Sequence, residues 1–94
     1  MLKVLDAFEL KEQGTILYCK DDDFNNMSWN EVSDYISKIN RIKIRDKNFE
    51  EIEFGIKKHD VMLSISDKIS VALLLDQMID NSNIMIPSEI TVLN

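Results

Sequence analysis

A mainly β fold follows from three features of the chain. The stretch Phe8–Tyr18 sets two apolar runs around the polar turn Lys11-Glu12-Gln13-Gly14, with the β-branched Thr15 and Ile16 directly behind the Gly, which is a hairpin pattern. Arg41-Ile42-Lys43-Ile44-Arg45 alternates base and Ile at a period of two, the spacing of a half-exposed strand. Apolar runs of strand length recur at 52–56, 61–65 and 90–93. The expectation is a small β-barrel or strongly bent sheet of about six strands, with one amphipathic helix, and residues 1–94 as a single domain.

The elements can be justified in order. Val4, Asp6, Phe8 and Leu10 share one side of a first strand, with Leu5, Ala7 and Glu9 on the other, so both sides carry apolar residues. Thr15–Cys19 is the second strand, and Asp21-Asp22-Asp23 stops it, because Asp side chains compete for local backbone bonds. Ser28-Trp29-Asn30-Glu31 is a capping box. Behind it Trp29, Val32, Ile36 and Ile39 form a one-sided helical stripe, and Asp34 and Lys38 stand four apart in the favourable order. The helix is placed at 28–40.

The period then returns to two at Arg41–Arg45, where the cations would protect an edge. Asp46-Lys47-Asn48 turns the chain, and Ile52–Ile56 is a strand in which Gly55 signals a bulge or a close backbone approach. Lys57-Lys58-His59-Asp60 reads as a solvated turn before a strand at Val61–Ile65. Ile69–Leu75 fits two periods. Ile69, Val71, Leu73 and Leu75 suit a buried strand, while Val71, Leu74, Leu75 and Met78 suit a helix, so an α+β fold with a second helix at 67–80 is the alternative. Asp80–Asn83 is a loop, Pro87 breaks or edges a strand, and Ile90–Leu93 closes the sheet.

Composition limits the function. A chain of 94 residues with 45% apolar content is long enough to bury a core without staples. Seventeen acids against eleven bases give a net charge of −6, which disfavours phosphate-rich and anionic-membrane partners and suits a basic protein. Cys19 is the sole cysteine and His59 the sole histidine, so neither an intrachain disulfide nor a Cys/His zinc site is available. Met1–Asp6 reaches an acid too soon for a signal peptide's apolar region, and no apolar run is long enough to span a membrane. A cytoplasmic location is expected, with no membrane partner and no cofactor.

Phe8-x-Leu10-x-x-x-Gly14-Thr15-Ile16-Leu17 resembles the opening hairpin of the second, β-barrel domain of translation GTPases of the elongation factor Tu type. Phe54-Gly55-Ile56 is similar to that family's Gly-Ile strand, Val71–Leu75 to its strand ending in Leu-Leu, and Ile86–Leu93 to its closing strand. The chain departs from the family at Asp21–Asn40, where acids and a helix replace a glycine-bearing turn, and at Ser88-Glu89, where a glycine is usual. The resemblance implies a barrel fold and an accessory binding role. It implies no activity, because hydrolysis in that family belongs to a separate nucleotide-binding domain. The chain has no Gly-x-x-x-x-Gly-Lys-Ser/Thr loop.

Candidate chemistry is sparse. His59 beside Asp60 could serve as a base, but sequence neighbours in a turn do not supply that geometry. Cys19 reads as a small buried thiol rather than a nucleophile. Asp21–Asp23 lacks the glycine and distal glutamate of a calcium loop. No catalytic or metal-ligating set is expected, and the chain is read as a non-catalytic protein-binding module. Its contact surface is placed at Asp21, Asp22, Asp23, Phe24 and Trp29, facing a basic partner as an acidic inhibitor or immunity-type protein would. Trp29 also fits the core, as a member of the helical stripe. The alternative is an RNA- or ribosome-binding module using Arg41, Lys43, Arg45 and Lys47, a stripe without interleaved aromatics.

Overall fold

The computed structural model describes residues 1–66 and 68–93. Their strands are β1 (Lys3–Leu10), β2 (Gly14–Lys20), β3 (Arg41–Arg45), β4 (Glu51–Leu63), β5 (Ile69–Leu75), β6 (Ser88–Glu89) and β7 (Thr91–Val92), with one α-helix, α1 (Trp29–Ser37). Every pairing is antiparallel, in the order β6-β1-β2-β5-β4-β3-β7. Because β6 and β7 flank Ile90, the C-terminal segment ties β1 at one end of the sheet to β3 at the other. The result is a nearly closed barrel. Ile90 N donates to Leu2 O at 2.8 Å and Leu93 N to Arg41 O at 3.0 Å, which completes the seam. The mainly β expectation holds, including closure by Ile90–Leu93. The helix at 67–80 does not form: residues 69–75 are β5, and Asp67 lies outside the described residues.

Position 14 is where the hairpin needs its glycine. The turn after β1 places Glu12 at φ 68° and Gly14 at φ 143°. A Cβ at residue 14 would lie 2.4 Å from Leu75 O. Thr15, fully buried, then knits β2 to the segment after β5. Its amide donates to Gln77 O at 3.1 Å, its hydroxyl donates to Ile79 O at 2.8 Å, and the hydroxyl accepts from Ile79 N at 2.9 Å.

Two irregularities re-aim side chains. A bulge between Val4 and Asp6 resets the alternation of β1, so Val4 and Ala7 face the core and Phe8 faces out. The two-sided reading of β1 therefore holds in kind but not in register. The second irregularity bends β4. Its first half pairs with β3 and its second with β5, and the bulge between Ile56 and Lys58 marks the change. Gly55 sits at this corner with its N–H on Asp76 Oδ1 at 3.3 Å, and Asp76 N donates back to Gly55 O at 3.0 Å. The turn expected at Lys57–Asp60 is absent. Those residues continue β4, because each pairs with β5 or takes up the bulge.

The helix starts as the sequence requires. Ser28 Oγ accepts from Glu31 N at 3.1 Å, and Glu31 Oε1 accepts from Ser28 N at 3.0 Å. Lys38 Nζ reaches Asp34 Oδ2 at 3.1 Å. The helix ends earlier than the stripe suggests because Asn40 O is used by Ile56 N, at 2.9 Å, which commits the following chain to the sheet. Val32, Ile36 and Ile39 are buried with Leu17, Ile42, Leu73 and Leu75 in the barrel core.

β3 is not an edge strand. It lies between β4 and β7, and Met85 N adds a bond to Arg45 O at 3.0 Å. Two of its three cations face carboxylates on β4: Arg41 lies 2.9 Å from Glu53 and Lys43 lies 3.8 Å from Glu51.

Candidate functional site

The acidic segment folds on itself. Asp21 caps a 3-10 turn over Asp22–Asn26, its carboxylate accepting from Asp23 N at 3.0 Å and from the Met1 amino group at 3.0 Å. Asp22 and Asp23 are exposed, but Phe24 is only 2% exposed and packs edge-on against Tyr35, with ring centroids 6.4 Å apart. Phe24 is therefore a core residue behind that surface, not a contact on it. Trp29 takes the opposite place to the one its stripe favours. It is 46% exposed, and its indole N–H donates to Val61 O on β4 at 3.3 Å. It is the first helical residue, one turn ahead of the buried Val32 and two ahead of the buried Ile36. Asp21 and Asp23 meet Met27 and Tyr35 around a groove of about 190 Å³, so part of the expected acidic surface is assembled there.

The basic stripe is partly neutralised. Arg41 and Lys43 lie in the ion pairs with Glu53 and Glu51 described above, while Arg45 and Lys47 are exposed beside the turn into β4. That turn is built on Asp46, whose carboxylate accepts from Asn48 N at 2.8 Å and Glu50 N at 3.0 Å. Phe49, at φ 64°, projects from it with 71% of its surface exposed.

The residues considered for chemistry are kept apart. His59 and Asp60 are consecutive on β4 and so point to opposite faces. The His59 ring is half-buried with Nε2 2.6 Å from Ile39 O, while Asp60 is exposed. Cys19 is buried, and burial pushes its thiol up to about 12.

A further exposed surface is one the sequence reading did not single out. In register across β1, β2, β5 and β4 run two outward rungs, Phe8–Ile16–Leu74–Lys58 and Asp6–Tyr18–Ala72–Asp60. The alternate rungs, Ala7–Leu17–Leu73 and Val4–Cys19–Val71, fill the core. Outside, Phe8 is 52% exposed, Ile16, Tyr18 and Ala72 are half-buried, and Leu74 is largely covered at 6%. Leu10, Ile16, Ala72 and Leu74 line a cavity of about 180 Å³, with Gln13, Lys58, His59 and Asp60 at its sides. Lys57 reaches over the rim to Gln13 O at 2.7 Å, and Lys20 Nζ stands 5.9 Å from the Tyr18 ring centre. The signal for this face lay in β1, β2 and β5, each apolar on both sides. One side of such a strand fills the barrel, and the other is left to be covered.

The adjacent edge of β1 is closed to strand addition at its centre. Ala7 N donates to Asp6 Oδ1 at 2.8 Å, and Ala7 O accepts from Asn81 Nδ2 at 3.3 Å. Among the described residues, no helix is long and apolar enough to cross a membrane, and no group of three or more His, Cys, Asp and Glu side chains converges. Compared with protein-family models, with curated proteins and with solved structures, the chain gives no significant match.

Proposed function

We propose that the chain is a non-catalytic protein-binding module, a cytoplasmic β-barrel of the translation-GTPase second-domain type that docks through the outer face of β1, β2, β5 and β4. The observation that carries the reading is the pair of outward rungs, which sets Phe8, Ile16, Tyr18 and Ala72 on one face, beside an open cavity lined by Leu10, Ile16, Ala72 and the largely covered Leu74. Contiguous exposed apolar surface rimmed by polar groups is the physical signature of a docking site. The roles of Gly14 and Thr15 support the barrel resemblance, because the Gly-Thr pair is what lets β2 approach and bond the segment after β5.

The acidic end supports a second contact for a cationic partner. Tyr35 is 40% exposed beside Asp21 and Asp23, and an aromatic ring with carboxylates suits a lysine or arginine side chain. The RNA reading draws less support, since Glu51 and Glu53 offset Lys43 and Arg41.

Affinity capture with tagged protein tests the proposal. Ala72→Arg, at the half-exposed centre of the outer face, abolishes capture of the partner, whereas Asp22→Lys with Asp23→Lys does not. Capture that survives Ala72→Arg in a folded variant and fails with the Asp pair moves the site to the acidic end and refutes the proposal.

A further inference from the structure

We infer that the occupant of the outer sheet face is a second copy of this chain, stacked face to face about a two-fold axis running across the strands. This inference rests on the binding reading above and names its partner. The axis exchanges the two outward rungs. Leu74 then lies over Ala72 of the second copy, Ile16 over Tyr18, and Lys58 over Asp60, and each contact occurs twice. Size and charge both match. The half-buried Ile16 and Tyr18 meet beside the cavity of about 180 Å³, where Ala72 leaves room over the largely covered Leu74, and a base meets an acid at the β4 margin. At the opposite margin, on β1, the same axis sets Phe8 over Asp6 of the second copy, so the match lies at the centre and the β4 side of the face.

The charge balance selects this occupant. With a net charge of −6, two copies repel over most of their surfaces. The outer face is the exception, because Asp6 and Asp60 are matched there by Lys20 and Lys58. A strongly basic partner finds no surplus of acid on this face, where Lys57 at the rim adds a further base. Base and acid two residues apart on β4 are self-complementary under the two-fold. The guarded edge of β1 directs association to the face and away from strand pairing.

Sedimentation velocity of the full chain over concentrations up to about 0.5 mM tests the inference, since small interfaces associate in that range. Wild type is expected to form a dimer. Lys58→Glu and Asp60→Lys are each expected to weaken association by about tenfold or more, because each sets like charges against one another. An equimolar mixture of the two variants regains the dimer, since the carboxylate introduced in one copy then meets the ammonium introduced in the other and the unaltered pair is kept.

Ala72→Arg, checked for folding by its thermal transition, blocks the centre and leaves a monomer. A wild type that is monomeric throughout overturns the inference, as does a dimer indifferent to Ala72→Arg. A different protein captured by a monomeric wild type and lost with Ala72→Arg also overturns it while the binding reading stands. Loss of neither dimer nor capture with Ala72→Arg defeats both.

Discussion

Replacing Thr15 by Val keeps the volume and β-branching of a fully buried side chain and removes only its hydroxyl. That hydroxyl bonds both the N–H and the C=O of Ile79, at 2.9 and 2.8 Å. Without it both groups lose their partner, at about 1–3 kcal/mol for each one left dry. Ile79 is half-buried, so water reaches part of the site and a total of about 2–3 kcal/mol is expected. For a chain of this size that lowers the midpoint of thermal unfolding by about 10–20 °C. Thr15→Ser retains the hydroxyl and loses one methyl, a cost of about 1 kcal/mol. Thermal melts followed by circular dichroism should rank wild type above Ser and Ser above Val. A purely apolar role for the site requires the reverse order of Ser and Val, so a Val variant melting above the Ser variant refutes the argument.

Other expectations follow from the same geometry. Gly14→Ala drives a Cβ into the Leu75 carbonyl and is expected to unfold the protein or cost more than about 4 kcal/mol. Gly55→Ala crowds the Asp76 carboxylate, at 2.6 Å, rather than backbone, so chemical denaturation should show a smaller loss that Asp76→Ala partly relieves in the double variant. The Cys19 thiol, pushed up to about 12 by burial, should resist an aromatic disulfide reagent at pH 8 and react at the rate of unfolding. Fast labelling of the native protein would contradict the burial.

The carboxyl of Glu31 is held below its ordinary 4.5 by the Ser28 N–H and hydroxyl, and that of Asp80 below 3.8 by the Ser82 N–H and hydroxyl. A lowered carboxyl pKa stabilises the folded state above the unfolded value and ceases to do so as pH falls through the folded one. Stability should therefore decline below about pH 4.5, and less steeply in Glu31→Gln, as thermal melts against pH will show.

Local chemistry made several elements legible. The turn ending in Gly14, the capping box of Ser28 and Glu31, and the alternation of Arg41–Arg45 each specify a backbone shape within a few residues. What escaped depended on distant pairing. The bulge in β1 carries no glycine to announce it, and it moves Phe8 from an assumed alternation to the outer face. Lys57–Asp60 is polar enough for a turn, yet it stays extended because β5 supplies partners along its length. β5 itself looked helical or extended because its residues are apolar on both faces, and only the sheet decides between the periods.

The site was less legible than the fold. Asp22, Asp23 and Trp29 are on the surface, but Phe24 is spent on the core and Arg41 and Lys43 on ion pairs. A strand that is apolar on both sides held the relevant information. It becomes a statement about docking only once the barrel shows which side is already filled.

The most direct test of the outer face is a dilution series of amide nitrogen–proton correlation spectra on isotope-labelled protein. The account predicts concentration-dependent shifts grouped at Phe8, Ile16, Tyr18, Lys58, Asp60, Ala72 and Leu74. Shifts grouped instead at Asp21–Trp29 or at Arg41–Lys47, or spectra that do not change with concentration, would contradict it.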